Sequence, residues 1–105
     1  MEKREIKNRM LEKIEEAIGY LEEQYGGGQL SADGLLSMLY IRYQNARSVL
    51  QDPQAGYSRL RGALQFLTSA NRAYIGSTSD WEDPLRRLIA EVDQWIDLYL
   101  KDETD

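Results

Sequence analysis

The sequence predicts an all-α protein, an antiparallel four-helix bundle of up-down-up-down topology with short loops. Apolar residues recur at alternating spacings of three and four in four separate segments, which is the stripe that a packed helix presents. Glycines or an aspartate–proline pair lie between these segments, and no segment alternates apolar and polar residues for long enough to form a strand. Short connections between helices favour antiparallel neighbours.

Length and composition indicate one globular domain, residues 1–105. The chain is 42% hydrophobic and 30% charged, which is typical of a folded protein rather than a disordered one. No apolar run approaches the ~18 residues needed to cross a bilayer. The charged N-terminus is not followed by the apolar stretch of a secretory signal, and cysteine is absent. We therefore expect a soluble cytoplasmic protein with no membrane partner.

Helices one and two are predicted over about residues 2–25 and 32–50. The first ends at the three glycines that begin with Gly26, because glycine makes helix continuation entropically costly. The second begins after Ser31, a residue that caps helix N-termini well. The apolar seams of these helices are Leu11, Ile14, Ile18, Leu21 and Tyr25, and then Leu36, Leu39, Tyr43, Ala46 and Leu50.

Helices three and four are predicted over about residues 53–75 and 84–101. Each follows an aspartate–proline pair, Asp52–Pro53 or Asp83–Pro84, in which aspartate caps the helix and proline suits its first position. Asn71 occupies a seam position where an apolar residue is expected. The seams are Tyr57, Leu60, Leu64, Leu67 and Tyr74, and then Leu85, Leu88, Val92, Trp95 and Tyr99.

The composition excludes most site chemistry. Histidine and cysteine are both absent, which removes ordinary zinc sites and the histidine-assisted nucleophiles. Two groups of acids, Glu12 with Glu15 and Glu16 in helix one and Asp93 with Asp97 in helix four, are interpreted as solvated faces opposite the apolar seams rather than as metal ligands or an acid–base pair. We expect no catalytic residue, no metal site, no cofactor and no enzymatic activity.

The segment LLSMLYIRY, residues 35–43, has more apolar surface than a bundle helix needs. Leu35, Tyr40 and Ile41 span too wide an arc to be covered together by neighbouring helices. We predict that they contact another protein or a second copy of this chain. Trp81, just before helix four, either covers the end of the bundle or anchors a partner.

The charge is divided unevenly along the chain. The net charge is −5, but residues 34–79 carry +4 because they contain five arginines and a single acid, Asp52. These arginines either pair with acids of helices one and four or bind an anionic partner, such as nucleic acid or an acidic protein. Internal pairing is favoured, since nucleic-acid-binding domains are usually basic overall. The five are Arg42, Arg47, Arg59, Arg61 and Arg72.

One short stretch resembles a known family. SADGLLSMLY, residues 31–40, is similar to the start of a long helix in flagellar export chaperones of the helical-bundle type. The resemblance implies a chaperone-like interaction role, and no functional residue is carried over from it. We therefore expect a small helical bundle that acts by binding another protein, as an adaptor, chaperone, immunity protein or antagonist. The alternative is a nucleic-acid-binding module that uses the central arginines.

Overall fold

The computed structural model describes residues 2–26, 34–77 and 82–101. Within these ranges the chain forms four α-helices and no strand. The helices are α1 (Lys3–Tyr25), α2 (Leu35–Gln51), α3 (Tyr57–Ser77) and α4 (Pro84–Lys101). The all-α class predicted from the sequence is confirmed. None of the helices in the described ranges has the length and apolarity required to span a membrane.

The helices form an antiparallel bundle in which each helix packs on its neighbours in sequence and α4 closes the ring against α1. The directions are antiparallel: Lys3 at the start of α1 lies over the Tyr99 ring near the end of α4, whereas Lys13, farther along α1, pairs with Glu91, nearer the start of α4, at 2.6 Å. The packing is most extensive between α2 and α3 and between α1 and α4. The predicted up-down-up-down bundle is confirmed, and we call these pairs the α2–α3 layer and the α1–α4 layer.

The core lies between the two layers and is apolar apart from Asn71. Most predicted seam residues are buried, but in α4 the buried positions are Ile89 and Ile96, whereas Leu88 and Trp95 are half-buried. Leu85, Val92 and Tyr99 are buried as predicted, so the centre of the buried stripe of α4 is displaced by only ~40° from the predicted seam. The largest fully buried side chains are Met10, Ile14, Ile18, Leu21, Leu39, Tyr43, Leu64, Leu67, Leu85, Ile89, Val92 and Ile96.

Two helices begin a few residues later than the sequence predicts. Helix α2 begins at Leu35 rather than at residue 32, because Gly34 has φ 148° and ψ −176°, a conformation that only glycine adopts readily. The predicted cap Ser31 lies outside the described residues. Helix α3 begins at Tyr57 rather than at residue 53. Asp52 caps a turn instead, with its carboxylate accepting a hydrogen bond from the Gln54 N–H at 2.9 Å.

The same sequence signal does start α4. Pro84 is the first residue of that helix, and the Asp83 carboxylate accepts a hydrogen bond from the Leu85 N–H at 2.9 Å. Its other oxygen accepts the Tyr74 hydroxyl at 2.7 Å, which ties the last turns of α3 to the start of α4. Burial is the main cause that raises the pKa of Tyr74, and the hydrogen bond to Asp83 raises it further.

Candidate functional site on the outer face of the α2–α3 layer

The apolar surplus of α2 is divided among different sides of the helix. Leu39 and Tyr43 are fully buried, Leu35 and Tyr40 are half-buried against the core, and Ile41 is 57% exposed. Successive helical residues point ~100° apart. Leu35, Tyr40 and Ile41 therefore do not form one patch, and Ile41 is the member of this predicted set with a largely exposed side chain.

Tyr40 lies on the side of α2 that faces α1. Its hydroxyl donates a hydrogen bond of 2.5 Å to the Glu22 carboxylate. This bond is the main cause that raises the pKa of Tyr40, and burial adds to it. Gln51 makes a second link between the same helices, to Glu15 at 3.4 Å. The polar end of Tyr40 thus contributes to the packing of α1 on α2.

Phe66 is the most exposed large apolar residue in the described part of the chain, at 59%. The Arg42 guanidinium lies over its ring, with the guanidinium carbon 4.1 Å from the ring centre, within the ~6 Å range of a cation–π contact. Arg42 also donates a hydrogen bond of 3.2 Å to the Phe66 carbonyl. Phe66 lies off the predicted seam of helix three and is not one of the site residues that the sequence predicts.

An open groove of about 640 Å³ runs between α2 and α3 beside Phe66. Small residues form part of its lining, and a Cβ added at Gly62 would meet no atom within 4 Å. Ile41 and Arg42 line a separate, smaller recess, and Arg42 also lies over the Phe66 ring beside the groove. The residues that define this α2–α3 groove include Asn45, Val49, Arg59, Gly62, Ala63 and Phe66.

The central arginines were predicted to pair with acids of helices one and four. In the structure, one of them contacts an acid of the α2–α3 connection and another lies near an acid of α4. Arg59 pairs with Asp52 of the α2–α3 connection at 2.7 Å, rather than with an acid of α1 or α4. The pKa of Asp52 is lowered mainly by the hydrogen bond from the Gln54 N–H and secondly by the hydrogen bond from Arg59. Arg72 lies close enough to Asp93 of α4 to oppose the rise of its pKa. In the described ranges, no side-chain ion pair within 4.0 Å includes Arg42, Arg47 or Arg72.

The two layers differ in their charged residues. Neither α2 nor α3 contains an aspartate or a glutamate, and together they hold all five central arginines. The acids of the helical residues belong to α1 and α4, where they are interleaved with lysine and arginine. The five central arginines do not share one face: Arg42 lies over Phe66, whereas Arg47 lies near Tyr40 on the side of α1 and Arg72 lies near Asp97 on the side of α4.

A buried polar chain links three helices of the bundle. The Tyr43 hydroxyl donates to Asn71 Oδ1 at 2.8 Å, and Asn71 Nδ2 donates to Asp93 Oδ1 at 2.8 Å. Asn71 is fully buried, so it lies within the bundle rather than at a solvated end. Burial, with Asp97 nearby, raises the pKa of Asp93. The interpretation of Asp93 as part of a solvated face is wrong, because its carboxylate reaches inward to Asn71.

The described residues contain no group of three or more aspartate or glutamate side chains placed to hold a metal ion. Their buried side-chain nitrogen and oxygen atoms all have hydrogen-bond partners, and the Tyr43–Asn71–Asp93 chain accounts for the buried polar residue of the core. Trp81, predicted to cap the bundle or anchor a partner, lies outside the described residues. The most distinctive surface described is thus the α2–α3 groove, where the exposed Phe66 ring lies against Arg42.

Comparisons with known proteins assign no family. No protein-family model matches the chain, and neither a curated protein nor a solved structure matches it. The resemblance of residues 31–40 to flagellar export chaperones gains no support from these comparisons. The function must therefore be argued from the surface itself.

Proposed function

We propose that this protein acts by binding another protein through the outer face of the α2–α3 layer. The observation that carries the proposal is the placement of Phe66, exposed beside an open groove and stacked under Arg42. Aromatic residues and arginine are enriched at protein interfaces, where they supply much of the binding energy. Ile41 adds a second exposed apolar side chain next to Arg42. An adaptor, chaperone, immunity protein or antagonist would work in this way.

We also propose a cytoplasmic location, which agrees with the absence of cysteine, since disulfides are common in secreted domains of this size.

A second candidate function is nucleic-acid binding, which is favoured by the arginines of α2 and α3 and by the absence of aspartate and glutamate from both helices. Phosphate contacts need free cationic groups. The pairing of Arg59 with Asp52 and the net charge of −5 both weaken that candidate.

The test begins with a photo-reactive amino acid at position 66, introduced into the full chain in its native host. We expect a discrete adduct with one heterologous protein, which is then purified and titrated against the chain by calorimetry. Phe66→Asp should weaken that complex by at least about tenfold, or ~1.4 kcal/mol. The matched control is Leu98→Asp, because Leu98 is 46% exposed on α4 in the other layer. It should leave the affinity unchanged.

Circular dichroism is used to check that both variants remain helical. Equal loss of affinity in the two variants would contradict the proposal, since it would show that Phe66 has no special part in the interface. The absence of any heterologous adduct at position 66 and at position 41 would contradict it as well.

A further inference from the structure

We infer that the bundle opens along the junction between α3 and α4, where the two layers part, while the contact between α1 and α2 acts as the hinge. These two junctions join the layers. Among the described helices, the packing of α3 on α4 is the least extensive, and that of α1 on α2 is greater. Regions with few packed contacts open at a lower free energy than the rest of a domain. The layers should therefore separate first between α3 and α4.

Polar contacts cross the α3–α4 junction where a bundle usually has apolar ones. Asn71 of α3 is fully buried, and its side-chain amide donates a hydrogen bond of 2.8 Å to the Asp93 carboxylate of α4. Towards one end of the junction, the Tyr74 hydroxyl donates to Asp83 at 2.7 Å. A hydrogen bond adds modestly to stability, because water replaces the lost partner in the open state. These links align α3 on α4 but do not supply the cohesion of a close apolar contact.

A recess of about 310 Å³ lies in the same junction. Ser69 and Arg72 of α3 line one side of it, and Ile96 and Asp97 of α4 line the other. Ile96 is only 1% exposed, so a residue of the core forms part of the recess wall. Separation of α3 from α4 would therefore expose Ile96 to water.

Lys3 fastens the other end of the α3–α4 junction. Its ammonium nitrogen lies 4.7 Å from the centre of the Tyr57 ring and 5.1 Å from the centre of the Tyr99 ring. Tyr57 is the first residue of α3, and Tyr99 lies in the last turn of α4. Among the residues that the structure describes, no ion pair within 4.0 Å includes Lys3. The cation thus joins the ends of two helices through their aromatic rings and resists their separation.

The hinge side of the bundle has links of its own. The Tyr40 hydroxyl of α2 donates to Glu22 of α1, and Gln51 donates to Glu15 at 3.4 Å, in addition to the greater packing of these helices. The α2–α3 groove lies within one layer. Opening therefore leaves the proposed interface intact and exposes a second surface inside the bundle.

Cysteine labelling measures this opening, because the chain contains no natural cysteine. Ile96→Cys places a thiol in the α3–α4 junction, and the matched control Val49→Cys places one in the wall of the α2–α3 groove. Val49 is the more exposed of the two residues, at 4%, so access without opening would favour position 49. Each full-length variant reacts with a thiol reagent under native conditions. Its rate is compared with the rate that global unfolding of the same variant, measured in urea, would allow.

Relative to that limit, we expect position 96 to react at least about tenfold faster than position 49, a difference of ~1.4 kcal/mol in opening free energy. The comparison with global unfolding removes any difference in how far the two substitutions destabilise the bundle. Equal relative rates at the two positions, or labelling of position 96 only at the rate of global unfolding, would overturn the inference.

Substitutions at Lys3 give a second arm of the experiment. Lys3→Met removes the cation but keeps an unbranched side chain, whereas Lys3→Arg keeps the charge. Loss of the cation–π contact should speed labelling at position 96 by about two- to fivefold and leave position 49 unchanged. Lys3→Arg should retain the slower rate. An equal effect of Lys3→Met at both positions would show that Lys3 stabilises the whole bundle, and its assigned part in the junction would be wrong.

Discussion

Asn71 occupies a position of α3 where helical periodicity requires an apolar side chain, and its hydrogen bonds explain why the core tolerates it. It accepts from Tyr43 and donates to Asp93, so one side chain connects three helices. A buried amide with fixed partners on two sides disfavours sliding of α3 against its neighbours, as buried asparagines do in coiled coils. The sequence shows the polar residue in the seam, but its partners depend on how the helices meet.

Tyr43→Phe tests this chain. The variant keeps the ring but leaves the buried Asn71 oxygen without its donor, so we expect a loss of about 1–3 kcal/mol in the free energy of unfolding. Urea denaturation of the full chain measures it. The double variant Tyr43→Phe, Asn71→Leu should lose less than the sum of the single changes. Strict additivity would show that the bond does not couple the two residues.

Asp93→Asn tests the pH dependence of the same chain. Burial, with Asp97 nearby, raises the folded-state pKa of Asp93 above its ordinary 3.8. A raised pKa contributes stability that is present below the ordinary value and is lost as pH rises through the folded-state value. Asparagine stays neutral and can still accept from Asn71. We expect the variant to unfold at higher urea than wild type at pH 7, with the difference declining towards pH 3. A less stable variant at pH 7 would contradict this.

Leu39 and Ile41 form a matched pair on one helix. Leu39 is fully buried, whereas Ile41 is 57% exposed. Leu39→Ala should destabilise the protein by about 2–5 kcal/mol, the range for large-to-small changes in a core. Ile41→Ala should shift the denaturation midpoint far less, because most of its side chain already contacts water. Similar midpoints for the two variants would contradict the assigned faces of α2.

At the scale of the helices, the sequence predicts a helix start correctly where neighbouring residues in the sequence determine that start. Helix α1 and helix α4 start within one residue of the prediction. The two aspartate–proline pairs look alike, but Gly56 lies three residues after Pro53, and α3 begins only after that glycine. Aspartate caps a turn in one place and a helix in the other. The residues on the C-terminal side of the proline therefore decide between a turn and a helix.

The candidate site is less predictable than the helices for a physical reason. The spacing of apolar residues shows that α2 has apolar side chains on several sides. The structure has one of the predicted residues, Ile41, largely exposed. The spacing cannot tell which sides α1 and α3 cover, so it groups Tyr40 with Ile41 although Tyr40 binds Glu22. Periodicity also misses Phe66, because the importance of that residue comes from Arg42, which lies 24 residues away in sequence.

Gly34→Ala tests the start of α2. At φ 148° a side chain is strained even where space is free, and such conformations cost about 1–3 kcal/mol in non-glycine residues. We expect a loss of that size in the free energy of unfolding. The control is Gly19→Ala in α1, where a Cβ meets no atom within 4 Å and alanine favours the helix by about 0.5–1 kcal/mol. Thermal melts of both variants should therefore shift in opposite directions, and equal shifts would count against the glycine requirement.

At the scale of the whole molecule, packing and charge divide the bundle in the same way. The most extensively packed helix pairs are α2 with α3 and α1 with α4, and the acid-free helices form one of these pairs. Lys13 joins its own layer by pairing with Glu91. The helices of one layer thus contain arginines without acids, whereas the helices of the other contain both signs of charge. A partner selected by charge would distinguish the two layers.

The distribution of charged residues between the two layers leads to a prediction about nucleic-acid binding. The five arginines favour phosphate contact, but Arg59 is already paired with Asp52 and the net charge of −5 repels a polyanion at longer range. Salt near physiological concentration reduces the range of these fields to ~8 Å. We therefore expect little or no binding of duplex DNA or RNA in a mobility-shift titration at that salt concentration. A tight complex whose affinity falls steeply with added salt would show that several arginines displace counterions together, and nucleic acid would then replace protein as the proposed partner.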